Sequence, residues 1–91
     1  MPTNLASLES TLADRRARYG EFEDVADTGF KIRTAIAERR NKFAPVQEEA
    51  LHMIANKLAR IANGDPNCHD SWHDIAGYAT LVAQTLEPEA E

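Results

Sequence analysis

Residues 57–81 read KLARIANGDPNCHDSWHDIAGYATL, and the reading of this stretch decides the fold. Its first part continues an apolar stripe at helical spacing, Leu51, Ile54, Leu58 and Ile61, as an amphipathic helix requires. Asn63-Gly64-Asp65-Pro66 then ends that helix, because adjoining Asn, Gly, Asp and Pro are turn residues. Beyond the turn, Trp72, Ile75, Ala76, Ala79, Val82, Ala83 and Leu86 recur at helical spacing up to Pro88. Asp70 or Ser71 is the expected N-cap of this second helix, with Ser71 and Asp74 at capping-box spacing. A loop of roughly seven residues joins the two helices, which makes them antiparallel neighbours.

Upstream, Pro45 suits the first turn of the helix that leads into this hairpin. A first helix is expected from about Leu5 to Arg18, with Thr3 or Asn4 as N-cap and Gly20 as its stop. Leu5, Leu8 and Leu12 share one stripe of it, which Tyr19 continues. A second is expected from about Phe22 to Asn41, with Phe22, Val25, Ala26, Ile32 and Ile36 inward. Gly29 weakens its middle, so a single helix from Asp24 or two shorter pieces also fit. Arg33 falls among the inward positions, where its aliphatic stem can lie along the core with its head in water. Strand-like alternation is not evident and β-branched residues are sparse. The expectation is an all-α, compact four-helix bundle with a C-terminal antiparallel hairpin. Residues 1–86 form a single helical domain, and the acidic tail over residues 87–91 is too polar to fold.

A formal net charge of -5 argues against a duplex nucleic acid partner. It leaves room for a small phosphorylated ligand, which needs only a few well-placed cations. No apolar run is long enough to span a bilayer, and the N-terminus lacks a leader pattern, so no membrane partner is expected. One cysteine, Cys68, cannot form an internal disulfide and fits a reducing compartment; the chain reads as cytoplasmic. Ninety-one residues bury a modest core, so a homo-oligomer is expected.

On the hairpin, Lys57 and Arg60 lie beside the inward stripe of the first helix, and Asp70, Asp74 and Tyr78 lie beside that of the second. In antiparallel helices these displacements emerge on the same side, so the five side chains are expected in one neighbourhood. They form either a rim of ion pairs, individually weak when exposed, or a mixed site. In the second reading cations hold phosphate oxygens, carboxylates hold a divalent metal or a ribose hydroxyl, and an aromatic ring stacks on a base. Tyr19 is grouped with this ligand-binding set. In Arg18-Tyr19-Gly20-Glu21-Phe22-Glu23-Asp24, Gly20 reads as a helix stop, Tyr19 and Phe22 as a staple, and the acids as favoured by the next helix dipole. Cys68, His69 and His73, with His52 or Asp70 as a fourth ligand, suggest zinc, but the second ligand cluster that structural zinc sites use is missing.

Three blocks carry a resemblance: Arg18-Tyr19-Gly20-Glu21-Phe22, Lys57-Leu58-Ala59-Arg60-Ile61, and Asp70-Ser71-Trp72-His73-Asp74-Ile75-Ala76-Gly77-Tyr78-Ala79. Together they resemble a group of small phage and prophage proteins of unassigned function. That group is more distantly similar to the MazG-like all-α nucleotide pyrophosphohydrolases, oligomeric helical bundles that cleave nucleoside triphosphates with magnesium. The resemblance implies a MazG-like bundle, a nucleotide ligand and magnesium held by Asp70 and Asp74. It departs from the MazG pattern in two respects: Asp70 and Asp74 are spaced by four rather than three, and Lys57 and Arg60 stand where acids are expected. Cations there compete for the oxygens a magnesium centre needs. Binding and sequestering of a phosphorylated nucleotide is therefore the first expectation. A magnesium-dependent pyrophosphohydrolase and a non-catalytic module that binds a host protein are the alternatives.

Overall fold

A computed structural model of the chain describes residues 5–87. It is all-helical, with α1 over Leu5–Tyr19, α2 over Phe22–Ala37, α3 over Pro45–Asn63 and α4 over His69–Thr85. The described residues contain no strand. Helix α3 is the centre: α2 packs along one side and α4 along the other, and α2 and α4 do not meet. The hairpin of α3 and α4 is antiparallel, since Ala50 and Leu51 share a groove with Val82 and Leu86 while Lys57 reaches Asp74. The bundle is open rather than compact, measuring 56 × 32 × 29 Å. Its radius of gyration is 16.5 Å, against about 12 Å for a compact domain of this length.

Small residues let α3 serve two neighbours. Its buried apolar residues are Ala50, Ala55 and Ala59, and a Cβ on Gly29 of α2 would lie 3.9 Å from that of Ala59. Side chains this short let helix axes approach closely and push larger neighbours to the rim. The expected inward stripe is corrected accordingly. Leu51, Ile54 and Ile61 are only half-buried and Leu58 is exposed. On α2, Val25 is buried while Phe22 and Ala26 face outward, and Trp72 of α4 is exposed with its Nε1 donating to the Pro66 carbonyl at 2.8 Å. Gly29 does not break α2, because it is buried where the helices approach. The helix ends at Ala37 rather than near Asn41: Arg39 and Arg40 donate to the Ile36 and Ala37 carbonyls in tight turns, and Arg40 adopts φ 59°. Arg33 is half-buried, and a Cβ on the buried Gly29 would lie 3.1 Å from its Nη1.

Pro45 opens α3, and the Ala44 N–H donates to Gln47 Oε1 at 2.9 Å, one half of a capping box. Helix α4 begins at His69, earlier than either expected cap; Ser71 is buried inside it and caps nothing. The connection, residues 64–68, is shorter than expected because Asp65 organises it, accepting from the Asn67 N–H at 2.9 Å and the Cys68 N–H at 3.1 Å. Thr3 and Asn4, the expected caps of α1, and residues 88–91 of the expected tail lie outside the described residues. No helix among the described residues is long and apolar enough to cross a membrane.

Two glycines join the C-terminal ends of α1 and α3. Gly20 stands at φ 90°, and a Cβ there would lie 2.5 Å from the Asn63 carbonyl oxygen. A Cβ on Gly64 would lie 2.5 Å from the Tyr19 carbonyl carbon. The Asp65 N–H donates to the Arg18 carbonyl at 3.0 Å, tying the two chain reversals together. Asn63 extends the joint to α2, its Nδ2 donating to Thr28 Oγ1 at 2.9 Å, to the Ala59 carbonyl at 2.9 Å and to the Asp24 carbonyl at 3.3 Å. Asn63→Ala should therefore lower stability by about 1–2 kcal/mol, read as a lower denaturant midpoint with an unchanged slope.

Candidate functional site

The glycine joint fixes where the cations of α1 go. With the last turn of α1 pressed against the end of α3, Tyr19 meets Arg60. The Arg60 guanidinium lies 4.5 Å from the Tyr19 ring centroid, that of Arg15 at 5.3 Å and that of Arg18 at 6.0 Å. Guanidinium groups at such distances are attracted by the ring quadrupole, yet they repel one another. A crevice of about 380 Å³ opens beside them, lined by Arg15, Arg16, Tyr19, Phe22, Val25 and Arg60 among others. Among the described residues Glu21 is the sole acid lining it, and its carboxylate lies 3.6 Å from Arg16 Nε. The pKa of Arg18 is raised above its ordinary value, first by a side-chain hydrogen bond with Tyr19 and more weakly by Cys68 and Asp70.

The hairpin face carries a second arrangement. Lys57 Nζ lies 3.2 Å from Asp74 Oδ2, with the lysine side chain 10% exposed and the aspartate 43%. Tyr78, one turn beyond Asp74, shares with it a shallow depression of about 230 Å³ that also takes in His73, Gly77 and Leu81. Of the six predicted ligand residues, the structure thus joins Lys57, Asp74 and Tyr78 in one group and Arg60 and Tyr19 in another. The expected pairing of Arg60 with the hairpin acids does not occur: no ion pair links them among the described residues, and the arginine head turns to Tyr19 instead. Asp70 is exposed, 4.0 Å from His69 Nδ1, and its charge is among those that raise the pKa of Arg18. The staple expected of Tyr19 and Phe22 is also corrected, since Phe22 is 83% exposed.

Arg15 and Arg18 belong to the cationic group, although the sequence reading gives Arg18 no ligand role and passes over Arg15. Their signal was present: they stand four and one positions before Tyr19 in the last turns of α1, where cations favour the helix dipole. The role of Gly64 was hidden as well, because it rests on close approach to a residue distant in sequence.

The donor set does not fit a magnesium centre within one chain. Among the described residues no three His, Cys, Asp or Glu side chains come together, and Asp74 is already engaged by Lys57. A magnesium centre draws on several oxygens, and Asp70 and Asp74 stand as a lone pair. The His69 and His73 rings stack at 5.4 Å, consistent with their one-turn spacing, and the buried Cys68 joins no ligand cluster among the described residues.

Residues 5–86 match the family described as a domain of unknown function, DUF6378. The chain belongs to this family. The match takes in all four helices, so the Tyr19 crevice, the glycine joint and the Lys57–Asp74 pair all lie within the DUF6378 domain. No curated protein and no solved structure matches the chain.

Proposed function

We propose that this DUF6378 protein binds a small phosphorylated nucleotide at the crevice between the end of α1 and α3. The observation that carries the reading is the gathering of Arg15, Arg18 and Arg60 around one tyrosine ring in a chain of net charge -5. Their mutual repulsion is relieved by a phosphate, whose oxygens accept charge-assisted hydrogen bonds from guanidinium groups. Tyr19, with Phe22 beside it, supplies an aromatic wall on which a base can stack. Lys57 is neutralised by Asp74, so its role is to hold α4 against α3, while Asp74, Asp70 and Tyr78 present polar groups on the neighbouring face for a ribose hydroxyl.

Binding without hydrolysis is the reading these side chains favour, because the acids that MazG-like enzymes gather around magnesium are not gathered among the described residues. Given the resemblance to small phage proteins, such binding would sequester a nucleotide signal in the cytoplasm of a host cell. The variants that test the site are Arg60→Ala and Tyr19→Ala. Each should weaken nucleotide affinity by about 10- to 100-fold, the loss expected for one charge-assisted contact or one stacked ring. Equal affinity in both variants, with folding intact by circular dichroism, would place the ligand elsewhere.

A further inference from the structure

A second crevice lies at the other end of the α2/α3 seam. It holds about 350 Å³ between the last turns of α2 and the first turns of α3, and it shares no lining residue with the Tyr19 crevice. That volume falls within the roughly 300–1,000 Å³ that small-molecule sites occupy. Its walls follow from the way α2 ends. The tight turns after Ala37, with Arg40 at φ 59°, reverse the chain, and Phe43 then joins Ile36 of α2 and Leu51 of α3 in an apolar lining. All three side chains are half-buried. Three ionisable side chains share the same crevice: Arg33 from α2, and Glu48 and His52, one turn apart, from α3.

The charges here differ from those beside Tyr19. A guanidinium and a carboxylate line one crevice, and neither takes part in an ion pair or a side-chain hydrogen bond among the described residues. Arg33 is half-buried with its head laid back over Gly29, whereas Glu48 is exposed. A cation partly withdrawn from water is stabilised by an anion brought to it. Glu48 does not reach it, so the geometry points to a ligand that bridges the two: a free amino acid with an apolar side chain. Its carboxylate meets the planar fork of Arg33, with a ring N–H of His52 as a further donor. Its ammonium meets Glu48 at the mouth, and its side chain lies on Ile36, Phe43 and Leu51. A phosphate suits this crevice less well, because Glu48 repels its negative charge. A neutral apolar molecule leaves both charges unanswered. The inference is independent of the nucleotide reading, since it uses none of the residues assigned to the nucleotide.

The test is amide NMR titration of the full chain with free leucine, methionine and phenylalanine. At least one of them should give saturable shifts at millimolar concentration, largest around Phe43 and His52. The N-acetyl derivative of that amino acid lacks the ammonium, and its amide lacks the carboxylate. Each should bind about 10- to 100-fold more weakly, the loss expected for one charged contact. Arg33→Gln and Glu48→Gln should each weaken binding of the amino acid by the same factor. Glu48 is exposed, so Glu48→Gln keeps its fold and decides the matter even where Arg33→Gln unfolds. Three results would overturn the inference: no saturable shifts around the crevice with any of the three amino acids, an N-acetyl derivative that binds as tightly as its parent, or a folded Glu48→Gln that binds like the native chain.

Discussion

Gly64→Ala is expected to destabilise the fold by about 2–4 kcal/mol, among the largest effects of any single methyl group in this chain. The residue stands at φ -120°, outside the left-handed region, and the loss comes from the space the new Cβ needs. The new Cβ meets the Tyr19 carbonyl carbon at 2.5 Å, the Arg18 carbonyl oxygen at 2.6 Å and the Gly20 nitrogen at 2.7 Å. All three are backbone atoms, so no flexible side chain can move aside. Relief requires the end of α1 to lift from α3, which breaks the Asp65-to-Arg18 hydrogen bond and separates Tyr19 from Arg60. The variant should therefore lose nucleotide affinity together with stability. Gly77→Ala is the control: nothing lies within 4 Å of a Cβ there, and removing a helical glycine should raise stability by about 0.5–1 kcal/mol. Denaturant midpoints of the two variants moving in opposite directions is the expected outcome. Gly64→Ala within about 0.5 kcal/mol of the native chain would contradict the joint.

The second large effect is an asymmetry in the Lys57–Asp74 pair. Asp74→Ala leaves an ammonium group on a side chain only 10% exposed, with its partner removed. An uncompensated charge so placed costs about 2–4 kcal/mol. Lys57→Met leaves the opposite situation. The methionine fills the space of the lysine stem, and Asp74, 43% exposed, turns its carboxylate to water. That variant should lie within about 1 kcal/mol of the native chain. Lys57→Met/Asp74→Ala should recover most of the stability lost in Asp74→Ala alone, a coupling measured by a double-mutant cycle. Equal losses in the two single variants would show that the pair is not buried on the lysine side.

The sequence made the hairpin legible, along with the helix ends at Gly20, Pro45 and Asn63, because the residues that punctuate a helix act locally. It also put Lys57 and Asp74 in one neighbourhood, since helical geometry and an antiparallel loop fix which stripes emerge on the same side, while their pairing at 3.2 Å comes from the structure. What it hid were consequences of packing between distant segments. The large residues of α3 looked inward on a wheel, yet Ala55 and Ala59 form the buried face, because a helix with neighbours on two sides is closest where its side chains are shortest. Arg60 looked like a partner for the hairpin acids, and Tyr19 took it instead. That exchange depends on Gly20 and Gly64 fitting together, and no spacing within one helix reports such a fit. The open shape was equally hidden: a periodic stripe such as Leu5, Leu8 and Leu12 announces that it will be covered, without saying by which surface.

The Tyr19–Arg60 crevice is proposed to take a phosphorylated nucleotide. Calorimetric titration of the native chain with a panel of linear and cyclic nucleotides, with and without magnesium and beside the matching nucleosides, tests it most directly. The predicted result is saturable binding of at least one nucleotide, with the nucleoside lacking phosphate binding far more weakly and the affinity falling as salt is raised. No binding by any member of the panel at millimolar protein, or equal binding of nucleotide and nucleoside, would contradict it.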